Sequence, residues 1–190
     1  MLKTSPQPVR YSGAVLAGGR SSRFGQDKSR FVYNGAPLLS RVLASLEGAG
    51  ERFVISRQTY PNLDVPVYPD LTPNLGPLGG LQTALRASKE DWLALAACDL
   101  PNLSPHYWQA LAARAEGAAV VVTTERGPQP LAALYHRGIS NEVDALLAEG
   151  ERSMKALLTR LEPQKLTLAE LGLPSNTLLN VNRLSDLPLS

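Results

Sequence analysis

The residues most able to do chemistry lie in short segments that follow apolar runs. Ala14-Val15-Leu16 leads directly into Ala17-Gly18-Gly19-Arg20-Ser21-Ser22-Arg23-Phe24-Gly25-Gln26-Asp27-Lys28. Small residues let a backbone approach a ligand closely, and successive amides then point at phosphate oxygens. Arg23 and Lys28 add two positive charges to such a cradle. The loop is not a Walker A motif, because Asp27 rather than glycine precedes Lys28, and it lacks the G-x-G-x-x-G spacing of a dinucleotide site. A solvated glycine turn with incidental basic residues is the plainer reading, and the apolar run before the loop argues against it.

Asp99 ends the apolar run Trp92 to Cys98 and precedes Leu100-Pro101. It is not needed to cap the next helix, because Ser104-Pro105 already supplies a capping hydroxyl and a first-turn proline. Magnesium is a hard cation that takes one or two carboxylates together with phosphate oxygens, so Asp99 is the candidate metal ligand. Asp70 stands ahead of Leu75-Gly76-Pro77-Leu78-Gly79-Gly80-Leu81, where three glycines suggest a crowded backbone or a simple loop entering a helix. A carboxylate there can accept hydrogen bonds from a ligand. Two other tempting residues fit structural roles better: Cys98 sits in a buried apolar run and His136 ends a strand.

These segments need a frame that brings strand ends together. Strands are expected at Gly13 to Leu16, Arg52 to Ser56, Val65 to Tyr68, Trp92 to Cys98, Ala118 to Thr124 and Leu131 to Tyr135. Most lack polar alternation, as strands buried on both faces do. Helical patterns fall at Leu38 to Ala49, Gly80 to Ser88, Pro105 to Glu116, Ile139 to Glu149 and Ser153 to Arg160. The rhythm predicts an α/β fold of three layers, Rossmann-like, with a mainly parallel central sheet flanked by helices. Ligands of such sheets gather at the carboxyl ends of the strands, where the polar segments lie.

Composition narrows the classes. A chain of 190 residues fits one domain, expected over residues 12–190. Residues 1–11 read as a flexible tail, being polar, containing Pro6 and Pro8, and lacking the apolar segment of a secretion signal. No apolar run approaches the roughly 20 residues of a membrane span. One cysteine and two histidines exclude a disulfide and a thiolate or histidine metal cluster, so any metal is held by oxygen. The net charge of +2 is spread without a basic stripe, which argues against nucleic acid as a partner. A reducing cytoplasm fits.

The opening segment resembles the L-x-G-G-x-S-x-R-F/M-G-x-D-K signature of nucleotidyltransferases, most closely that of the molybdenum cofactor guanylyltransferase family. Ala97-Cys98-Asp99-Leu100-Pro101 is similar to the family's P-C-D-x-P element, with Ala97 replacing the first proline. The loop after Asp70 resembles its G-P-L-x-G-L/M segment, and Gln129 to Tyr135 resembles a strand on the acceptor side. Leu179-Asn180-Val181-Asn182 is similar to the N-x-N element, after which the family's Thr-Pro-Glu-Asp-Leu is replaced by Arg183-Leu184-Ser185-Asp186-Leu187. Some relatives carry asparagine after the second strand, where this chain has Ser56 or Arg57.

The resemblance implies transfer of GMP from magnesium-bound GTP to molybdopterin or its molybdenum-loaded form, with release of pyrophosphate. It implies a catalytic set of Arg23, Lys28 and Asp99, with Asp99 on the metal. Leu16, Ala17, Gly18, Gly19, Lys28, Asp70, Gly79 and Asp99 would border the nucleotide, and Asn180 and Asn182 the pterin. Proteins that donate or accept the cofactor would be transient partners. Gly150 to Lys155 holds Arg152 and Lys155, which suit either an anionic substrate or a solvated helix start.

Cytidylyltransferases for the same cofactor and sugar-phosphate nucleotidyltransferases share the glycine-rich opening. The former more often read Ala-Ala-Gly there, so Leu16-Ala17-Gly18-Gly19 favours guanine. A noncatalytic nucleotide-binding module would be expected to have lost a charged residue, whereas Arg23, Lys28 and Asp99 are all present.

Overall fold

The computed structural model describes residues 7–17 and 28–181. In chain order the elements are β1 (Tyr11–Leu16), β2 (Val32–Tyr33), β3 (Ala36–Pro37), α1 (Leu38–Ser45), β4 (Arg52–Ile55), β5 (Val67–Tyr68) and α2 (Gly76–Ala87). There follow β6 (Trp92–Ala97), α3 (Pro105–Ala112), β7 (Ala119–Thr124), β8 (Gly127–His136), α4 (Ser140–Ala148), α5 (Met154–Leu161) and β9 (Gln164–Leu166). Seven strands form one sheet in the order β5-β4-β1-β6-β8-β7-β9, and β2 and β3 make a separate two-stranded ribbon. From β5 through β6 the strands are parallel. β8 is antiparallel to both its neighbours, and β9 returns parallel to β7.

Successive side chains of a strand point to opposite faces, so a sheet covered on both sides needs apolar residues at nearly every position. Val15, Val54, Ala94, Ala96, Val120 and Val122 pack with Leu39 and Val42 of α1, with Leu46 just after it, and with Tyr107 and Leu111 of α3. Ala14, Phe53, Ile55, Leu93, Leu95 and Val121 face the other way, onto α2, α4 and α5. The expected three layers follow from this division. A buried valine or leucine contributes about 1.5–3 kcal/mol of transfer free energy, so both faces hold the sheet firmly.

Several boundaries differ from the sequence expectation. Tyr11, assigned to the tail, is the first residue of β1, pairs with Trp92 and is 4% exposed. Val9 is tied down as well, its amide donating to the Ala112 carbonyl at 3.1 Å. The segment read as a loop from Leu75 to Leu81 is mostly the first turns of α2, which starts at Gly76 with Pro77 in a position where a missing amide hydrogen costs nothing. β8 begins at Gly127 and runs through Pro128 and Pro130; both lie beyond the last β6 partner, Ala132, so neither removes a bond from that ladder. The β2–β3 ribbon and β9 are too short to show as periodic patterns.

The register sets up one working edge. Leu16 aligns with Ile55 and with Ala97, and Ile55 aligns with Tyr68. Four parallel strands therefore end side by side, and Ala17, Ser56, Asp70 and Asp99 follow them. β8 runs the opposite way, so the β7–β8 turn stands above the same edge.

Candidate active site

Asp99 is placed by β6 and by the neighbouring strand ends. The Cys98 amide donates to the Leu16 carbonyl at 3.2 Å, and the Ala17 amide donates to the Ile55 carbonyl at 3.0 Å, which knits the ends of β6, β1 and β4 together. Lys28 opens a short 3-10 turn, Lys28–Arg30, and its Nζ donates to Asp99 Oδ2 at 3.0 Å. The two side chains are 13% and 20% exposed. That turn is anchored by a 2.9 Å hydrogen bond between the Ser29 and Tyr60 hydroxyls and by Arg30 Nη2 on the Thr59 carbonyl at 3.0 Å. A cation and a carboxylate 71 residues apart are thus held together at the carboxyl edge.

Asp99 Oδ1 is buried and has no hydrogen-bond partner among the described residues. A buried carboxylate oxygen without a donor is costly, and a hard cation would satisfy it. No cluster of three or more His, Cys, Asp or Glu side chains suited to a metal exists among the described residues. A divalent ion here would rest on Asp99 and complete its shell with ligand and water oxygens, the pattern that suits magnesium.

The start of α2 lies against the end of β1 because two glycines permit it. A Cβ on Gly80 would sit 2.9 Å from Leu16 Cδ2, and one on Gly79 would sit 2.6 Å from Leu75 Cβ. The Gly79 carbonyl accepts from the Thr83 hydroxyl at 3.0 Å, and the Thr83 oxygen accepts from the Leu71 amide at 3.0 Å. The residue after Asp70 is thereby fastened to the first turn of α2. No side chain among the described residues caps this helix, so its first-turn amides and positive end are available to a ligand along the edge.

Asp70 follows β5 by two residues, and its Oδ2 is 3.8 Å from Arg57 Nε. Burial pushes the Asp70 carboxyl above its ordinary value, and the Arg57 charge only partly opposes this. The chain also returns to the backbone of Asp99 near Val181. The Val181 amide donates to the Asp99 carbonyl at 2.9 Å, and Asn102 Nδ2 donates to the Asn176 carbonyl at 3.0 Å. Val181 is fully buried with Tyr33 and Leu38, and Asn180 Oδ1 beside it is buried with no partner among the described residues.

A family model described as the MobA-like NTP transferase domain matches residues 13–165. This chain belongs to that family. It is 38% identical over 182 residues to a Deinococcus radiodurans protein named "Probable molybdenum cofactor guanylyltransferase", covering 93% of this chain and 91% of that one. Among solved structures, an Archaeoglobus fulgidus molybdopterin-guanine dinucleotide biosynthesis protein A matches with a TM-score of 0.79 at 22% identity, over 92% of this chain and 94% of that one. A Mycobacterium tuberculosis protein in complex with manganese shares the fold with a TM-score of 0.60 at 17% identity, over 93% and 95% of the two chains. The protein is accordingly a nucleotidyltransferase.

For this MobA-like chain the edge brings together Leu16, Ala17, Lys28, Asp70, Asp99 and Asn180 of the residues singled out in the sequence. Gly18, Gly19, Arg23 and Asn182 lie outside the described residues. Gly79 is buried inside the first turn of α2, where Leu75 leaves no room for a side chain. Arg152 is turned to the same edge, its Nη1 donating to the Asn74 carbonyl at 3.2 Å, while the Ser153 hydroxyl caps α5 by accepting from Lys155 and Ala156 amides. Gln129 Nε2 is spent on its own hairpin, donating to Thr124 Oγ1 and the Gly127 carbonyl. His136 pairs with Trp92 at the start of β6, at the far end of the sheet, and its Nδ1 accepts from the Gly138 amide. Sequence reasoning missed Ser29, Tyr60 and Val181, which fix Lys28 and Asp99. No local pattern announces them, since each acts through a partner distant in the chain.

Proposed function

We propose that this nucleotidyltransferase transfers GMP from GTP to the terminal phosphate of molybdopterin, or of its molybdenum-loaded form, releasing pyrophosphate. The observation that carries the reading is the Lys28–Asp99 pair at 3.0 Å on the carboxyl edge, with Asp99 Oδ1 buried and without a donor among the described residues. The name of the Deinococcus relative supports the choice of guanine and of the molybdenum cofactor.

An oxygen of the acceptor phosphate forms the new bond to the α-phosphorus of GTP, and the bond from that phosphorus to the bridging oxygen of pyrophosphate breaks. The protein has to align two anions and stabilise spreading charge, so positioning and electrostatics suffice without a side-chain nucleophile. Lys28 offsets triphosphate charge, and the uncapped start of α2 offers amides to the nucleotide. Arg23, with the backbone from Leu16 through Gly19, is assigned to the phosphates, and Asn180 and Asn182 to the pterin. Magnesium held by Asp99 would supply Lewis-acid charge neutralisation at the phosphates. The reaction belongs to the cytoplasm, with proteins that deliver and collect the cofactor as transient partners.

Purified protein incubated with each nucleoside triphosphate, magnesium and molybdopterin, with products identified by mass, tests this directly. A guanine dinucleotide formed from GTP is expected. A cytosine product would move the enzyme to the cytidylyl class, and no transfer to any acceptor despite stable nucleotide binding would leave only a binding module.

A further inference from the structure

The Lys28–Asp99 contact closes the carboxylate to a solvated ion. Asp99 Oδ2 already holds the Lys28 ammonium at 3.0 Å, and Asp99 Oδ1 is buried. Magnesium needs a ligand oxygen at about 2.0–2.1 Å and gives up its water reluctantly, so it reaches neither oxygen while the ammonium stays. The pair is well shielded, the lysine side chain being 13% and the aspartate side chain 20% exposed. A second cation beside the first meets strong repulsion there, because little water lies between them to screen it.

Resting on the assignment of the metal to Asp99, we propose that the Lys28 ammonium occupies the metal's place in the resting enzyme and is drawn off Asp99 by the nucleotide, so that the divalent ion enters only together with the triphosphate.

The fold confines this exchange to one side chain. The backbone that carries Lys28 is pinned: Ser29 is buried with its hydroxyl 2.9 Å from that of Tyr60, Arg30 Nη2 donates to the Thr59 carbonyl at 3.0 Å, and the Phe31 amide donates to the Lys28 carbonyl at 3.1 Å. The backbone of Asp99 is held in turn, its carbonyl accepting from the Val181 amide at 2.9 Å. What is left to move is the stem of Lys28, a flexible four-carbon chain ending in a compact charge with rotatable donors. An arginine in its place would be bound by its planar fork to one geometry, whereas an ammonium changes partners by rotating its stem.

The balance of charge gives the exchange its direction. In the resting state one ammonium and one carboxylate neutralise each other. A triphosphate brings several negative charges and many acceptor oxygens, so the ammonium trades a carboxylate oxygen for phosphate oxygens without losing a partner. The aspartate it leaves is then a partly buried anion without compensation, which is costly unless a cation takes the vacated place. An ion already carried by the phosphates supplies that cation, and Asp99 Oδ1, orphaned among the described residues in the resting state, gains a partner in the same event. With no nucleotide present, the ammonium has no anion of comparable charge to move to, and Asp99 stays closed.

The test is manganese binding to the full chain without acceptor, read by water-proton relaxation, which separates protein-bound from free ion. Manganese alone should bind wild-type protein weakly. Lys28→Gln, with Lys28→Met as a second neutral variant, should bind it at least about tenfold more tightly, since a neighbouring unit charge shifts the cation affinity of a carboxylate by about a factor of ten or more. That gain should vanish when Asp99→Asn is added, and Lys28→Arg, which keeps the charge, should stay as weak as wild type. With GTP present, wild-type protein should hold the ion and Asp99→Asn should not. Neutral variants that bind manganese alone within about twofold of wild type, or an arginine variant that binds it as tightly as they do, would overturn the exchange and leave the metal assignment standing. An ion held alongside GTP equally well by Asp99→Asn would instead overturn the metal assignment and the exchange with it.

Discussion

Replacing Asp99 with asparagine separates the chemistry of the site from its architecture. At 3.0 Å, and with an effective dielectric of about 20, the Lys28–Asp99 pair carries roughly 5.5 kcal/mol of Coulomb attraction. Desolvation of both charges consumes most of that, and the asparagine oxygen can still accept from Lys28 Nζ. A net cost of about 1–2 kcal/mol is expected, between the values for exposed pairs and for broken buried pairs. For a chain of this size that lowers Tm by about 2–8 °C, so the variant should fold. Activity should behave differently. A neutral amide is a poor ligand for a hard divalent cation, and loss of that charge removes several kcal/mol of transition-state stabilisation, so turnover should fall at least about a hundredfold. Thermal scanning and a pyrophosphate-release assay on the same preparation read both effects. If Asp99→Asn kept turnover within about threefold of wild type while folded, Asp99 would have no place at the reacting phosphates.

Four further expectations follow from the geometry. Gly79→Ala should lower Tm, because its Cβ would meet the stiff Leu75 Cβ at 2.6 Å and overpacking costs about 1–3 kcal/mol. Gly80→Ala meets only the flexible end of Leu16, gains about 1 kcal/mol of helix propensity, and should leave Tm almost unchanged while raising KM for the nucleotide. Ser45→Ala removes the acceptor of the buried Trp108 indole, now 3.0 Å away, and should cost about 1–3 kcal/mol in denaturant titrations with kcat unaffected. On the proposed reading the ionised form of Asp70 accepts from the nucleotide, and because burial raises its folded value, nucleotide affinity should be full above that value and weaken as pH falls through it, starting at a higher pH than for an ordinary carboxylate near 3.9; Asp70→Asn should abolish this dependence in a calorimetric pH series.

Much of the frame could be read from the sequence because its causes are local. Unbroken apolar runs such as Leu93 to Ala97 and Ala119 to Val122 fit only strands covered on both faces, and Ser104-Pro105 marks the start of α3 by capping chemistry alone. The reversal of β8 was not legible in this way, since an apolar run carries no direction and pairing partners lie far off in the chain. The same limit applies within the site. Asp99 could be singled out because it ends an apolar run, and Lys28 because it closes a glycine-rich segment. Their meeting depends on Ser29, Tyr60 and Val181, whose contacts span the fold. In the sequence Arg57 is marked only as a place where some relatives carry asparagine, and its approach to Asp70 depends on β4 and β5 ending side by side.

The reversed strand β8 has a consequence for how such a protein diversifies. Next to the end of β6 the chain offers a hairpin tip, whereas β5 and β6 themselves lead into the helices α2 and α3. A tip can lengthen, shorten or change composition without shifting any helix. That part of the carboxyl edge is therefore free to change while the register of β1, β4 and β5 stays as it is.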